Sequence, residues 1–444
     1  MIFQFQLEGK HLNSNQSTFD SGYIEGDVQI YIDGRVYFEE PCVNVMELAT
    51  RLAKWLDEIS NGKILDFMYD SIDCDDPMLR FIVDQDGLNI HLPIGNFEQV
   101  TLPVETVKNA VLRFLVALNA QLHRFHGIDH LDHFLTDILS ENQKAIMLFE
   151  QNEYDEALAM FKRLSDETPS VQSLNNLAWM FLREEEDRVE AQKLLQQVLA
   201  FEPRSPFPYM MLGEIALHNE QYEQAKSYLQ QAITFEKTEV ATYNLAIAHF
   251  HLGEYEQAAQ QFARCTGESG QTQLHEVVAW VHAANHEKAK QMLAEWNEEA
   301  DDYKGATEIA DVYIELGCYE QACEQFEREW GNNITSTYLV SRFAYTYWQL
   351  QQRDACQSIV QQAIAQTAEE ISNEQHTELD EHWSAKDRDE YIAKLMEQQE
   401  TLETLMDKLQ NGYVPEFEYD MYPMGGCQLF GCTQHGNLEY KEVL

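Results

Sequence analysis

The sequence predicts two folds in one chain: an α+β N-terminal domain with an antiparallel sheet, then an all-α superhelical solenoid closed by a helical cap. Three observations predict this. Strand-like alternation with hairpin signals is confined to residues 1–127. A helical pattern then recurs every 33 or 34 residues over residues 138–370. An amphipathic stretch with its own start and stop signals follows, ahead of an aromatic tail at residues 413–444.

The N-terminal elements follow in order. MIFQFQLEG alternates apolar and polar residues, the period of a half-buried strand. DVQIYIDGRVYFEE is two strands joined at Asp33-Gly34, a dipeptide suited to the positive φ angles of a two-residue hairpin turn. VMELATRLAKWLDEIS is an amphipathic helix that stops before Asn61-Gly62. LDFMYDSI, MLRFIVDQ and LNIHLPI are further strands, the last two joined around Asp86-Gly87, and Pro103 opens a long helix. Strands and helices in this order predict an antiparallel sheet packed on helices. No phosphate loop, GxSxG elbow or HExxH motif occurs in this region. The layout resembles small bacterial domains of the toxin-immunity type, and that resemblance implies an immunity or inhibitor role.

Composition bounds the function. Hydrophobic residues make up 44% of the 444, ample for folded cores. The 30 basic against 76 acidic residues, a formal net charge of −46, would repel nucleic-acid phosphates and suit a basic partner. The N-terminus has no basic leader and no long apolar core, so no signal peptide is expected. No run of 18 apolar residues is present, so no membrane partner or span is expected. Eight cysteines scattered through helical sequence then read as reduced thiols in a cytoplasmic protein.

The repeats share one frame. NEYDEALAMFKRL, NEQYEQAKSYLQQAI, LGEYEQAAQQFARC and LGCYEQACEQFERE each carry Tyr, then Ala three residues on, then a large apolar residue four further. The alanines are Ala157, Ala225, Ala258 and Ala322, with Ala191 in the same phase. Upstream of them stand Leu177-Ala178, Leu212-Gly213, Leu245-Ala246, Ile309-Ala310 and Phe343-Ala344. A small residue on each helix of a pair lets the two approach closely. Pro169 and Pro203 sit where a second helix must stop. This pattern resembles the tetratricopeptide repeat (TPR) family, with about seven units between residues 138 and 370 and a linker at 128–137. The unit around His275 to Trp296 is short, and the last has Arg353 and Cys356 in place of Tyr and Ala.

The resemblance implies a TPR-like superhelix whose concave face is lined by the first helix of each pair and binds a protein or peptide partner. Groove candidates by repeat position are Asn175, Trp179, Met210, Glu214, Tyr243, Ile247, Phe250 and His251, each of which could equally be a packing residue. First helices with almost no Lys disfavour capture of a C-terminal carboxylate and favour an apolar or basic segment. Residues 371–412 are expected as the cap: Ser384 starts a helix with apolar spacing from Ile392 to Leu409, and Asn411-Gly412 stops it. A short coiled-coil dimer helix is the alternative.

Two clusters carry metal-ligand chemistry. His123, His126, His130 and His133 read first as a polar linker; with Asp129 and Asp132 beside them they would otherwise serve a metallohydrolase, the alternative to a non-enzymatic scaffold or adaptor. In the tail, Cys427, Cys432 and His435 form C-x4-C-x2-H, two thiolates and an imidazole suited to zinc but one ligand short of a closed site. The tail's Phe417, Tyr419, Tyr422, Met424, Leu429 and Phe430 point instead to docking on the repeats, and a disulfide is a third reading.

Overall fold

The structure is a computed structural model and describes residues 1–7, 24–70, 78–87, 89–92, 100–126, 131–265, 270–296, 306–331, 336–377, 383–417, 419–432 and 434–440. Side chains at 124–126 and 306 are likewise outside the description. The chain divides into two compact units, Met1–Met211 with Gly426–Leu444, and Leu212–Gly425. The tail is thus shared between units, a division that the expected boundaries at 127, 370 and 412 do not follow.

The first unit begins with strands β1 (Ile2–Leu7), β2 (Glu25–Ile32) and β3 (Arg35–Asn44), an antiparallel sheet in the order β1-β2-β3. Asp33 and Gly34, at φ 49° and 75°, make the two-residue turn between β2 and β3. Helix α1 (Val45–Ser60) starts where the Asn44 side chain accepts from Glu47 N at 3.1 Å. Its buried face, including Leu48, Leu52, Trp55 and Leu56, joins the sheet core. Strands β4 (Phe67–Tyr69), β5 (Leu79–Val83), β6 (Asn89–Leu92) and β7 (Val100–Pro103) form a second antiparallel sheet in sequence order. Strand β7 has no counterpart in the sequence reading. It is four residues long and ends in a proline without an N–H donor, which confines it to the sheet edge.

Helix α2 (Val104–His126) follows Pro103, and α3 (Asp132–Ile138) occupies most of the expected linker at 128–137. Leu131 and Leu135 are fully buried in the same core, so this stretch is part of the domain.

Seven consecutive helix pairs follow. They are α4 (Glu141–Glu150) and α5 (Tyr154–Glu167); α6 (Val171–Arg183) and α7 (Arg188–Leu199); α8 (Phe207–His218) and α9 (Tyr222–Phe235); and α10 (Glu239–His251) and α11 (Tyr255–Phe262). The others are α12 (Gly270–His282) and α13 (His286–Ala294); α14 (Ala306–Glu315) and α15 (Tyr319–Glu329); and α16 (Thr337–Gln349) and α17 (Arg353–Glu374). The recurring alanines, Ala157, Ala191, Ala225, Ala258 and Ala322, are all fully buried, as is Cys356 in the last pair. The large residues four further on, Phe161, Leu195, Leu229, Phe262 and Phe326, are buried with them. Arg353, in place of the repeat tyrosine, stacks on Trp348 with its guanidinium carbon 3.2 Å from the ring centre.

After α17 come α18 (Ala385–Glu403) and α19 (Leu405–Gln410), against α16 and α17. Ser384 and Asp387 cap α18 reciprocally, and the helix breaks at Thr404, where one continuous helix was expected. Leu395, Leu402, Leu405 and Leu409 are buried, while Met396, expected on the same face, is exposed. Gly412, at φ 85°, ends α19. No helix of the described residues is long and apolar enough to cross a membrane.

The close approach within pairs makes a prediction at Gly213. A Cβ built there would lie 2.6 Å from Leu229 Cγ, and Leu229 is fully buried. Helix propensity favours Ala over Gly by about 1 kcal/mol, but overpacking of this kind costs about 1–3 kcal/mol. Gly213→Ala is expected to lower stability in urea unfolding. Adding Leu229→Ala should relieve part of that loss, giving a coupled double-mutant cycle; a Gly213→Ala chain more stable than wild type would refute the contact.

Candidate functional site

The site is built by the tail, which is neither helix nor strand. An extended segment has main-chain N–H and C=O groups that burial would strip of water, so each needs a partner from outside the segment. First helices supply them.

In the second unit the tail leaves α19 and meets α16 first. Arg342 donates from Nη2 to the Glu416 carbonyl oxygen. Its guanidinium also pairs with Asp311 of α14 at 2.9 Å and lies over the Tyr338 ring, and Tyr338 donates its hydroxyl to Asp311. Both charged side chains are buried, and burial pushes the Asp311 carboxyl up to about 6 against the pull of Tyr338 and Arg342. Phe417 stacks on His282 at 5.8 Å, and Tyr419 meets His275 edge-on at 5.5 Å, both histidines on α12. Met421 is buried among residues of α10 and α12. At α10 the Asn244 amide donates to the Met424 carbonyl at 2.9 Å, and its oxygen accepts from Met424 N at 2.8 Å.

In the first unit α6 and α4 do the same work. Trp179 Nε1 donates to the Gly426 carbonyl at 3.0 Å and Asn175 Nδ2 to the Gln428 carbonyl at 2.7 Å. Asn176 repeats the arrangement of Asn244: Nδ2 donates to the Phe430 carbonyl and Oδ1 accepts from Phe430 N, both at 2.8 Å. Asn142 of α4 donates to the same carbonyl at 2.9 Å and accepts from Asn176 at 2.8 Å. The Phe430 ring packs on Phe207 and Tyr440. The tail then turns at Gly431, φ 85°, where a Cβ would sit 2.9 Å from Asn142 Nδ2. It returns to α4 and α6: Ser140 donates to Glu439 at 2.5 Å, and Tyr440 N donates to Gln172 Oε1 at 2.7 Å.

Inside that turn lie Cys427, Cys432 and His435, with ligand atoms all within 4.8 Å of one another. Cys432 Sγ is 3.3 Å from His435 Nδ1. The Cys432 thiol, hydrogen-bonded to Cys427, holds the Cys427 thiol below the usual range; that same contact, with burial, pushes Cys432 far up. Asn437 Nδ2 donates to the Cys427 and Leu429 carbonyls, each at 3.0 Å, and reaches Cys427 Sγ at 3.6 Å. Burial pushes the Glu150 carboxyl up to about 8, with Cys432 adding to the rise and Gln434 opposing it.

Of the expected groove residues, Asn175 and Trp179 donate to the tail. Met210, Glu214 and Ile247 are buried. Tyr243 bonds His275 Nδ1 at 3.0 Å and packs edge-on to Phe262. Phe250 packs with Tyr255 and His282, and His251 stacks on Tyr222 at 4.4 Å. Of the interdomain histidines, His123 binds Asp132 at 3.0 Å and His133 stacks on Phe134. Asp129, His130 and the His126 side chain lie outside the described residues.

Sequence reasoning passed over Asn142, Asn176, Asn244, Arg342 and Glu150. A signal existed for the asparagines. Asn142 and Asn176 stand 34 residues apart, and Asn244 stands 68 beyond Asn176, which is two repeats. Met210 occupies the intervening phase position. A polar residue recurring in phase on a buried helix face needs partners for its carboxamide, and the sequence alone does not show what supplies them.

Residues 142–207 and 210–269 match the tetratricopeptide repeat family, and residues 3–124 match a domain of unknown function, DUF7878. No curated protein matches the chain. Among solved structures, the C-terminal part of a TPR repeat-containing protein from Cytophaga hutchinsonii is 18% identical, over 50% of this chain and 94% of that one, with a TM-score of 0.40. A tetratricopeptide repeat protein from Parabacteroides merdae is 14% identical, over 55% and 94%, with a TM-score of 0.32. The MamA protein is 15% identical, over 43% and 95%, with a TM-score of 0.32.

Two predictions follow from the geometry of the second unit. Removing Arg342 leaves the Asp311 carboxylate buried without its counter-charge, so Arg342→Met is expected to cost about 3–5 kcal/mol in denaturant unfolding; a loss under 1 kcal/mol would refute the role of the pair. Burial also holds the His251 and His282 imidazoles below their ordinary value. The unfolded chain then takes up protons first, so their contribution is whole above about pH 6.5 and is lost as pH falls toward the lower folded value. Asp311 acts in the opposite sense, so the histidine effect is read as a difference between variants. Amides 416–424 should lose exchange protection on acidification to about pH 5.5, and lose less of it in His282→Phe. Equal losses in both would rule out His282.

Proposed function

We propose that this chain, which carries tetratricopeptide repeats behind a domain of unknown function, is a non-enzymatic interaction scaffold. Its first helices hold an extended polypeptide by the main chain, with the chain's own tail as resident ligand. The observation that carries this reading is the paired reading of Met424 by Asn244 and of Phe430 by Asn176, each amide serving one residue's N–H and C=O together. Such a contact is indifferent to side-chain identity. The rings of His275 and His282, and separately Phe207, add a preference for aromatic side chains. A client protein presenting an extended segment with aromatic residues therefore competes with the tail.

The net charge of −46 favours a basic client and disfavours nucleic acid. An immunity or inhibitor role toward such a client, and a cytoplasmic location, follow in this reading from the same charge and from cysteines scattered through helical sequence. Membranes play no part in this reading.

The test loosens the tail and leaves its seat intact. Tyr419→Ala with Phe430→Ala removes two anchoring rings, and a labelled peptide of residues 413–440 is then offered in trans. Binding should tighten at least about tenfold over wild type, a gain of about 1.4 kcal/mol, and Asn244→Ala with Asn176→Ala should abolish it. Failure of the peptide to bind the loosened chain would sink the reading.

A further inference from the structure

The C-x4-C-x2-H turn is the one group of three metal-ligating side chains drawn together among the described residues. Three ligands leave a zinc site incomplete, and the structure offers a fourth. Glu150 is the last residue of α4. Both its carboxylate oxygens are shielded from solvent, and neither has a partner at ordinary hydrogen-bond length. It interacts electrostatically with Cys427 and with Cys432. A buried carboxylate left without a partner is costly, and a cation between it and the two thiols would remove that cost.

We propose that Cys427, Cys432, His435 and Glu150 form a structural zinc site that fastens the end of the tail to helix α4. Zinc–sulfur bonds of about 2.3 Å and zinc–nitrogen bonds of about 2.0–2.1 Å put neighbouring ligand atoms of a tetrahedron roughly 3.6–3.8 Å apart. The 3.3 Å between Cys432 Sγ and His435 Nδ1, and the 4.8 Å limit on the three tail ligands, bracket that spacing. Gly431 and Gly436, at φ 85° and 70°, turn the backbone between and beyond the ligands, which residues with a Cβ do poorly. Asn437, 3.6 Å from Cys427 Sγ, is placed to steady a bound thiolate from outside. Two thiolates select zinc over magnesium or calcium. A full set of four protein ligands leaves no open position for a substrate, so the site is structural. Because its ligands come from the tail and from α4, metal binding and seating of residues 426–440 become one event. The assignment does not rest on a client competing for the groove.

The full-length chain, reduced and stripped with a chelator, is titrated with cobalt alone and then with zinc alone. One cobalt per chain is expected, with thiolate-to-metal charge-transfer absorption and the intense visible bands of tetrahedral coordination, bleached by one equivalent of zinc. Zinc should also raise exchange protection across residues 426–440. Glu150→Gln and, separately, His435→Ala should each weaken zinc on the order of 10–100-fold; His435 is exposed, so its variant tests the site without disturbing a core. No stoichiometric zinc on the reduced chain, or undiminished affinity in Glu150→Gln, would overturn the assignment. So would a Cys427–Cys432 disulfide in metal-free protein isolated without reductant, which would make the clasp covalent.

Discussion

A buried, extended stretch of chain cannot satisfy its own main chain, and the rest of this structure turns on how that need is met. Helices close their hydrogen bonds internally and strands borrow from neighbours. Residues 413–440 do neither for most of their length. Carboxamides on first helices pair with the main chain at Met424, Gln428 and Phe430, and Trp179 and Arg342 add donors to the Gly426 and Glu416 carbonyls. Leaving one buried carbonyl or amide unpaired costs about 1–3 kcal/mol. Several in a row would expel the segment, and with it the aromatic side chains it carries inward.

The same constraint explains why these helices carry polar residues in their interior. Asn142, Asn175, Asn176 and Asn244 are buried within otherwise apolar faces. In an isolated repeat each would be a liability, because the helix uses its own backbone groups and leaves the side-chain amide unmatched. With the tail in place their carboxamides become pairing groups. Arg342 follows the same logic with a charge. Asp311 and the Tyr338 ring make burial of the guanidinium tolerable, and its remaining donor reaches the Glu416 carbonyl. Function therefore rests on the packing that makes these groups costly when the tail is away.

Helix packing supplies the rigid seat. Alanines at the helix crossings, with Cys356 in their place in the last pair, bring paired helices close, and Gly213 brings its helix closer still to Leu229. Close-packed interiors transmit small displacements, so a carboxamide is held at the position and angle that an extended peptide requires. The turn at Gly431 shows the reverse dependence: with Asn142 only 2.9 Å from where a Cβ would be, the tail's own sequence had to yield a glycine there.

The sequence by itself determined the repeat architecture, because the 33- or 34-residue recurrence of Ala157, Ala191, Ala225 and Ala258 is a local packing rule written into successive units. The hairpin at Asp33-Gly34 and the cap at Ser384 were legible for the same reason, since the residues that cause them are the residues that form them. The edge strand β7 and helix α3 were not legible, being short elements whose existence depends on what they pack against. Asn175 and Trp179 could be picked from repeat phase, but what they bind could not, because Gln428 and Gly426 lie about 250 residues away in sequence. Asn142, Asn176 and Asn244 carried a periodic signal whose meaning required the tail to be in place. The interaction of Glu150 with Cys427 and Cys432 was decided by tertiary structure alone, since no local rule relates the end of a helix to a turn that the chain reaches only after the whole repeat array has folded.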